Sequence, residues 1–175
     1  TRIDETVQQV AQSAHVGNLY VNRNMVGAVV GVQPFGGEGL SGSGPKAGGP
    51  LYLPRLQQAP SSPLRLLCHV LQQAGAAQEV ATSEPSAALQ QLGHWAEKNG
   101  EMPVSSSCER LQDALPDLHA ARLLPGPTGE RNLYTLIAKP RTLCLAQSQN
   151  MLLQQLAAVL ACGSRAVWPH SPVST

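Results

Sequence analysis

At 175 residues with 42% apolar content, the chain is long enough to bury a real core, which excludes a disordered tail. Only 13% of residues are charged, 12 basic against 11 acidic and with no basic run, so it carries no electrostatic footprint for nucleic acid or an anionic membrane. No apolar stretch approaches the roughly 18 residues of a bilayer span, and residues 1–6 lack the basic-then-apolar form of a signal peptide.

Position 1 is not methionine, residues 1–6 read as a helix caught mid-architecture, and the last residues follow an apparent strand. The expectation is a piece of a larger protein, cut at both ends. From Ile3, the residues Val7, Val10, Ala11 and Ala14 recur at helical spacing, predicting a surface helix over 4–16 with Asp4 as N-cap and Gly17 closing it. Leu19 and Val21 alternate with Tyr20, a short strand pattern over 18–22. An apolar run at 26–32 leads to residues 31–50, where eight of twenty are glycine, so regular structure is excluded there. A polar, proline-bearing connector at 57–63 marks a boundary near residue 60. Beyond it, 63–73 and 85–98 read as amphipathic helices, with Ser83 a cap and Gly100 a stop. Residues 105–107, three serines, read as a helix N-cap region. A turn cluster at 125–129 precedes strand-like segments at 132–137 and 142–146. Leu152, Leu156, Val159 and Leu160 mark a buried helical stripe ending at Gly163, and 165–168 returns as strand. The crossover at 147–164 is long enough to set the strands at 142–146 and 165–168 parallel, giving one β-α-β unit.

Gly37, Gly39 and Gly42 match Gly-x-Gly-x-x-Gly literally, but Pro34 and Phe35 precede them and the run at 43–50 resists helix. The dinucleotide fingerprint needs a strand before it and a helix after it, so this reading is rejected. The phosphate-loop pattern fails as well, because Pro45 separates Gly44 from Lys46. In the β-α-β unit the turn at 146–150 has no glycine, and side chains there would keep a pyrophosphate from the backbone amides. A cofactor-free Rossmann-like module is the inference, and fold alone licenses no activity. Cys68, Cys108, Cys144 and Cys162 lack a Cys-x-x-Cys or a Cys/His quartet and read as reduced and structural. His15, His69, His94 and His119 sit without ligand spacing, so no metal site is expected. No catalytic residue is assigned within the chain. The remaining candidate is 22–37, where glycines among small apolar residues let a ligand approach main-chain N–H groups, and two successive amides can hold a carboxylate. From the residues alone, the favoured reading is that Gly27 and Gly31 simply allow tight turns between strands.

At 17–24 (GNLYVNRN) and 33–42 (QPFGGEGLSG) the sequence resembles the closing portion of an aldehyde dehydrogenase catalytic domain. The run at 43–52 (SGPKAGGPLY) narrows the resemblance to the bacterial bifunctional proline utilization A family, in its L-glutamate γ-semialdehyde (1-pyrroline-5-carboxylate) dehydrogenase half. Residues 124–134, 143–146 and 155–161 resemble the extra C-terminal domain of its longer members. The implied fold class is α/β: residues 1–57 end an aldehyde dehydrogenase domain, 58–62 form a linker, and 63–175 form a truncated Rossmann-like domain without a cofactor motif. That domain has no reaction of its own and helps enclose the passage between two active sites.

What the resemblance implies for function is an NAD-dependent oxidoreductase of proline catabolism to glutamate, cytoplasmic and homo-oligomeric. Any peripheral membrane association, and FAD, would lie in the absent proline dehydrogenase half. Gly27 and Ala28 fall where the family's anchor loop binds the substrate carboxylate, and Phe35 where an aromatic side chain lines the aldehyde pocket. In such enzymes a thiolate attacks the semialdehyde, hydride passes to NAD and water releases glutamate. The family's Gly-Gln-x-Cys setting is not in this sequence, so nucleophile, base and nicotinamide-binding domain are expected upstream of Thr1 and the isolated fragment is expected to be inactive. Two further readings stand beside this one: a non-catalytic scaffold or assembly module derived from an aldehyde dehydrogenase, and a related dehydrogenase with another aldehyde substrate.

Overall fold

The computed structural model describes residues 1–25, 27–42, 44–57, 63–75 and 87–170. Helices and short strands are mixed in an α/β chain, and two compact units separate: Thr1–Ala76 with Leu123–Leu133, and Ala77–Arg122 with Tyr134–Thr175. The proposed linker at 58–62, Ser83 and the start of the helix expected from 85 lie outside the described residues.

In the first unit, α1 (Asp4–Ser13) starts one residue earlier than expected for an Asp4 cap. Ile3 is the N-cap and makes no side-chain cap bond, while Asp4 and Glu5 sit in the first turn, where the helix dipole favours negative charge. The helix ends at Ser13, whose Oγ donates to the Gln9 carbonyl at 2.7 Å, and not at Gly17. The strand expected over 18–22 does not form. Asn22 turns the chain at φ 55° and donates from Nδ2 to the Thr1 carbonyl at 2.6 Å. Without a partner strand among the described residues, an alternating pattern of only a few residues has no ladder to join. α1 and this bent segment line a shallow groove of about 180 Å³ through Thr6, Val7, Val10, Leu19, Tyr20 and Val21.

The glycine-rich stretch is irregular, as its composition requires. Among its described residues it contains a single 3₁₀ turn at Gly39–Ser41 and one isolated bridge, Phe35 to Ala47. A short helix, α2 (Tyr52–Leu56), follows, and α3 occupies Pro63–Gln73, the range its periodicity predicts, with Leu71 buried. The stretch Leu123–Leu133 completes this unit. It spans most of a two-stranded sheet formed by β1 (Arg122–Leu124) and β2 (Asn132–Tyr134), which stops short of the expected 137.

The second unit is built on α4 (Ala87–Lys98), α5 (Met102–Ala114) and α6 (Gln149–Ala161). Gly100, at φ 75°, closes α4: its N–H donates to the Glu97 carbonyl and the Glu101 N–H to that of Ala96, satisfying two end carbonyls. Gly163 closes α6 the same way through Leu160 and Val159. α5 begins with Pro103 in its first turn, so the serines 105–107 lie inside the helix; Ser107 Oγ is absorbed by the Pro103 carbonyl at 2.8 Å. The core joins Leu89, Ala96, Val104, Cys108 and Ala157, with Leu92, Leu111, Leu153, Leu160 and Ala161 against it. On α6, Ala157 and Val159 are buried and Leu153, Leu160 and Ala161 pack against the core, so Val159 and Leu160 of the predicted stripe lie inside while Leu152 and Leu156 are half-buried; apolar residues on more than one face let the helix bury two sides.

β3 (Thr142–Leu143) and β4 (Ala166–Val167) pair in parallel, Thr142 opposite Ala166 and Leu143 opposite Val167, with α6 as the crossover. The predicted β-α-β unit is present. Ser164 Oγ sits 3.0 Å from Thr142 Oγ1 and donates to the Lys139 carbonyl at 2.6 Å, fixing the entry to β4. Leu89 is 2% exposed, so Leu89→Ala is expected to destabilise this unit by about 2–5 kcal/mol through lost transfer energy and a residual cavity. Chemical denaturation followed by circular dichroism reads the change.

Candidate functional site

Gly27 has φ 85°, and it and Ala28 are exposed. Neither lies in a strand of the described residues. The turn after them closes when the Val29 carbonyl accepts from the Val32 N–H at 3.1 Å and from the Gln33 N–H at 2.7 Å, and Gly31 N–H docks on the Gly48 carbonyl at 3.0 Å. Phe35 is 55% exposed and exchanges two backbone bonds with Ala47, at 3.0 and 2.9 Å. The three residues singled out in the sequence thus occupy one loop region within one unit, flanking a hydrogen-bonded turn.

What holds this loop was not legible in the sequence. Asn18 Nδ2 donates to the Pro34 carbonyl at 2.8 Å, and its Oδ1 accepts from the Gly36 N–H at 3.1 Å, so one amide pins both sides of Phe35. Lys46 Nζ donates to the carbonyls of Gly36 and Gly37 at 2.9 and 2.8 Å. Gly17 permits this packing, because a Cβ there would overlap the Gly36 carbonyl and Lys46 Nζ. Glu130 Oε2, from the Leu123–Leu133 stretch, accepts from Arg23 Nη1 at 3.0 Å and from Gln33 Nε2 at 2.8 Å. Asn18 and Lys46 fall inside recognisable motifs, but side-chain bonds to distant backbone leave no local periodic signal.

The fit to a dinucleotide can be judged at α6. Its N-terminus is capped by Ser148, whose Oγ accepts from the Met151 N–H at 3.4 Å, and the preceding turn carries side chains at each position. A pyrophosphate would need that amide and close backbone approach, so these residues do not fit NAD. The Gly37–Gly42 match likewise opens no helix: Ser41 Oγ donates to the Glu38 carbonyl and accepts its N–H, closing the 3₁₀ turn on itself.

Cys108 and Cys144 are buried thiols and Cys162 is exposed. Burial, and secondarily the Glu109 charge, push the Cys108 thiol above its usual range, the reverse of an activated nucleophile. His119 Nδ1 bonds the Leu136 carbonyl at 2.8 Å, a structural use. Among the described residues no group of three or more His, Cys, Asp or Glu is arranged for a metal, and no helix is long and apolar enough to cross a membrane.

No family model matches the chain. The 1-pyrroline-5-carboxylate dehydrogenase 1 of Halalkalibacterium halodurans is 52% identical over 59 residues, covering 34% of this chain and 12% of that protein. Similarity extends much further in the bifunctional protein PutA of Escherichia coli, 53% identical over 169 residues, 97% of this chain and 13% of the relative. PutA of Rhizobium meliloti is 44% identical over 165 residues, 94% of this chain and 12% of the relative. An α/β chain with an irregular glycine-rich loop is thereby grouped with proteins named as dehydrogenases. Across almost its whole length it is homologous to the bifunctional PutA proteins and corresponds to a C-terminal portion of them. It spans about an eighth of the length of those curated relatives.

Proposed function

We propose that the chain is part of an NAD-dependent L-glutamate γ-semialdehyde dehydrogenase that completes proline catabolism to glutamate, and that the 27–35 loop anchors the substrate's carboxylate. The observation carrying this reading is 53% identity to a PutA protein over 169 residues, joined to a shorter match with a 1-pyrroline-5-carboxylate dehydrogenase. Gly27, at φ 85° in an exposed turn, has the backbone form that presents successive amides to an anion. Amides of Gly27 and Ala28 would hold the far carboxylate, Phe35 would wall the aldehyde end, and the reacting carbon would be delivered to a thiolate from other polypeptide, a proximity effect. Residues 1–57 then close the dehydrogenase domain, and 63–175 form a Rossmann-like scaffold that encloses the passage between active sites. NAD, and FAD in the proline-oxidising half, are held by polypeptide other than this chain. The whole protein works in the cytoplasm as a homo-oligomer, and the isolated chain has no turnover.

Two charge-assisted hydrogen bonds of about 1.5–3 kcal/mol each would favour an aldehyde bearing a carboxylate. In the full-length protein, NADH formation is expected to show kcat/KM about 100-fold or more higher for glutamate semialdehyde than for unbranched aliphatic aldehydes. Equal efficiency for both substrates, or turnover by the isolated chain, would count against the proposal.

A further inference from the structure

We infer that Glu130 is a positioning residue that holds the loop bearing Gly27 and Ala28 in its binding form. One carboxylate oxygen takes a bond from each side of that loop: Arg23 Nη1 before it at 3.0 Å and Gln33 Nε2 after it at 2.8 Å. Both partners are themselves fixed. Arg23 lies over the Tyr20 ring, 5.4 Å from its centroid, and Nε donates to the Asn24 carbonyl at 3.2 Å. Gln33 is 8% exposed, and its backbone N–H closes the turn on Val29 at 2.7 Å. Glu130 is presented by its own turn, its N–H on the Pro127 carbonyl at 3.1 Å. A residue about a hundred positions along the chain, 107 from Arg23 and 97 from Gln33, therefore ties the neck of the loop. Tying the neck removes open-loop conformations that would not bind substrate.

Without the carboxylate, the Gln33 amide becomes a buried donor with no acceptor and Arg23 loses its ion pair, so the loop spends less time in the form that offers its amides. Apparent substrate affinity falls with the binding-competent fraction, while the chemical step is untouched because Glu130 reaches no reacting atom. The experiment compares Glu130→Ala and Glu130→Gln in the full-length protein by hydrogen exchange and steady-state kinetics. Glu130→Ala is expected to speed exchange at 27–33 about tenfold, leave α4 and α5 unchanged, and raise the KM for glutamate semialdehyde about fivefold with kcat within about twofold. Glu130→Gln keeps an acceptor for both partners and is expected to restore most of each effect.

Unchanged exchange at 27–33 in Glu130→Ala overturns the inference. Faster exchange across both units with kcat falling alongside KM also overturns it, since that marks a general structural role. The inference rests on reading Gly27 and Ala28 as the carboxylate anchor, and the two fail separately. Faster exchange confined to 27–33 at unchanged KM removes the anchor while keeping Glu130 as the holder of the loop; unchanged exchange removes Glu130 and leaves the anchor to be judged at Gly27.

Discussion

Gly27→Val in the full-length protein is expected to raise the KM for L-glutamate γ-semialdehyde about tenfold or more, with a smaller change in kcat. Steric room is not the reason, because a Cβ at position 27 would meet nothing within 4 Å. The reason is backbone conformation. At φ 85° an L-residue is strained, a β-branched one most of all, and relief of about 1–2 kcal/mol comes from swinging the peptide to negative φ. That swing turns away the amides at 27 and 28, and 1.4 kcal/mol corresponds to tenfold in affinity. Gly27→Ala should give a smaller rise in the same direction. Steady-state kinetics against semialdehyde concentration measures both, and a KM equal to that of the unmodified enzyme removes the anchor role.

Gly17→Ala is expected to have the other large effect, on stability and substrate affinity together. Here the φ value is ordinary and space is the constraint, because the added methyl would meet the Gly36 carbonyl, a backbone atom that cannot yield without moving the chain. The same carbonyl accepts Lys46 Nζ at 2.9 Å, and the neighbouring Asn18 pins Pro34 and Gly36. Displacing Gly36 therefore loosens three bonds around Phe35, with an expected cost of about 1–3 kcal/mol for overpacking. Thermal unfolding of the full-length protein should move to lower temperature and the KM for the semialdehyde should rise. Wild-type stability in this variant would show that the strand of chain at 34–37 is free to shift.

Where a pattern was local, the residues alone were sufficient. The α3 limits, the glycine stops after α4 and α6, the irregularity of the stretch at 31–50 and the β-α-β unit all follow from periodicity, turn chemistry and crossover length. The candidate loop was also visible as small residues and glycines, and the resemblance to a family was carried by contiguous motifs at 17–24 and 33–52. That Leu153 and Ala157 of α6 would join Val159 and Leu160 inside was not visible, because a helix with apolar residues on more than one face buries whichever sides its neighbours cover, and Ala157 shares its core cluster with Val104 and Cys108 of α5. Nor was the failed strand at 18–22, since alternation creates a strand only when another strand supplies the ladder.

The same division holds at the loop. Which residues could present amides to an anion was set by composition, because only glycine adopts φ 85° without strain. Which residues hold that loop was decided by tertiary structure: Asn18 and Lys46 act on backbone atoms across the turn, and Glu130 reaches Arg23 and Gln33 from about a hundred residues away. Hydrogen bonds between side chains and distant backbone or distant side chains follow no sequence period, so they come into being only when the folded chain brings their ends within 3 Å or so of each other.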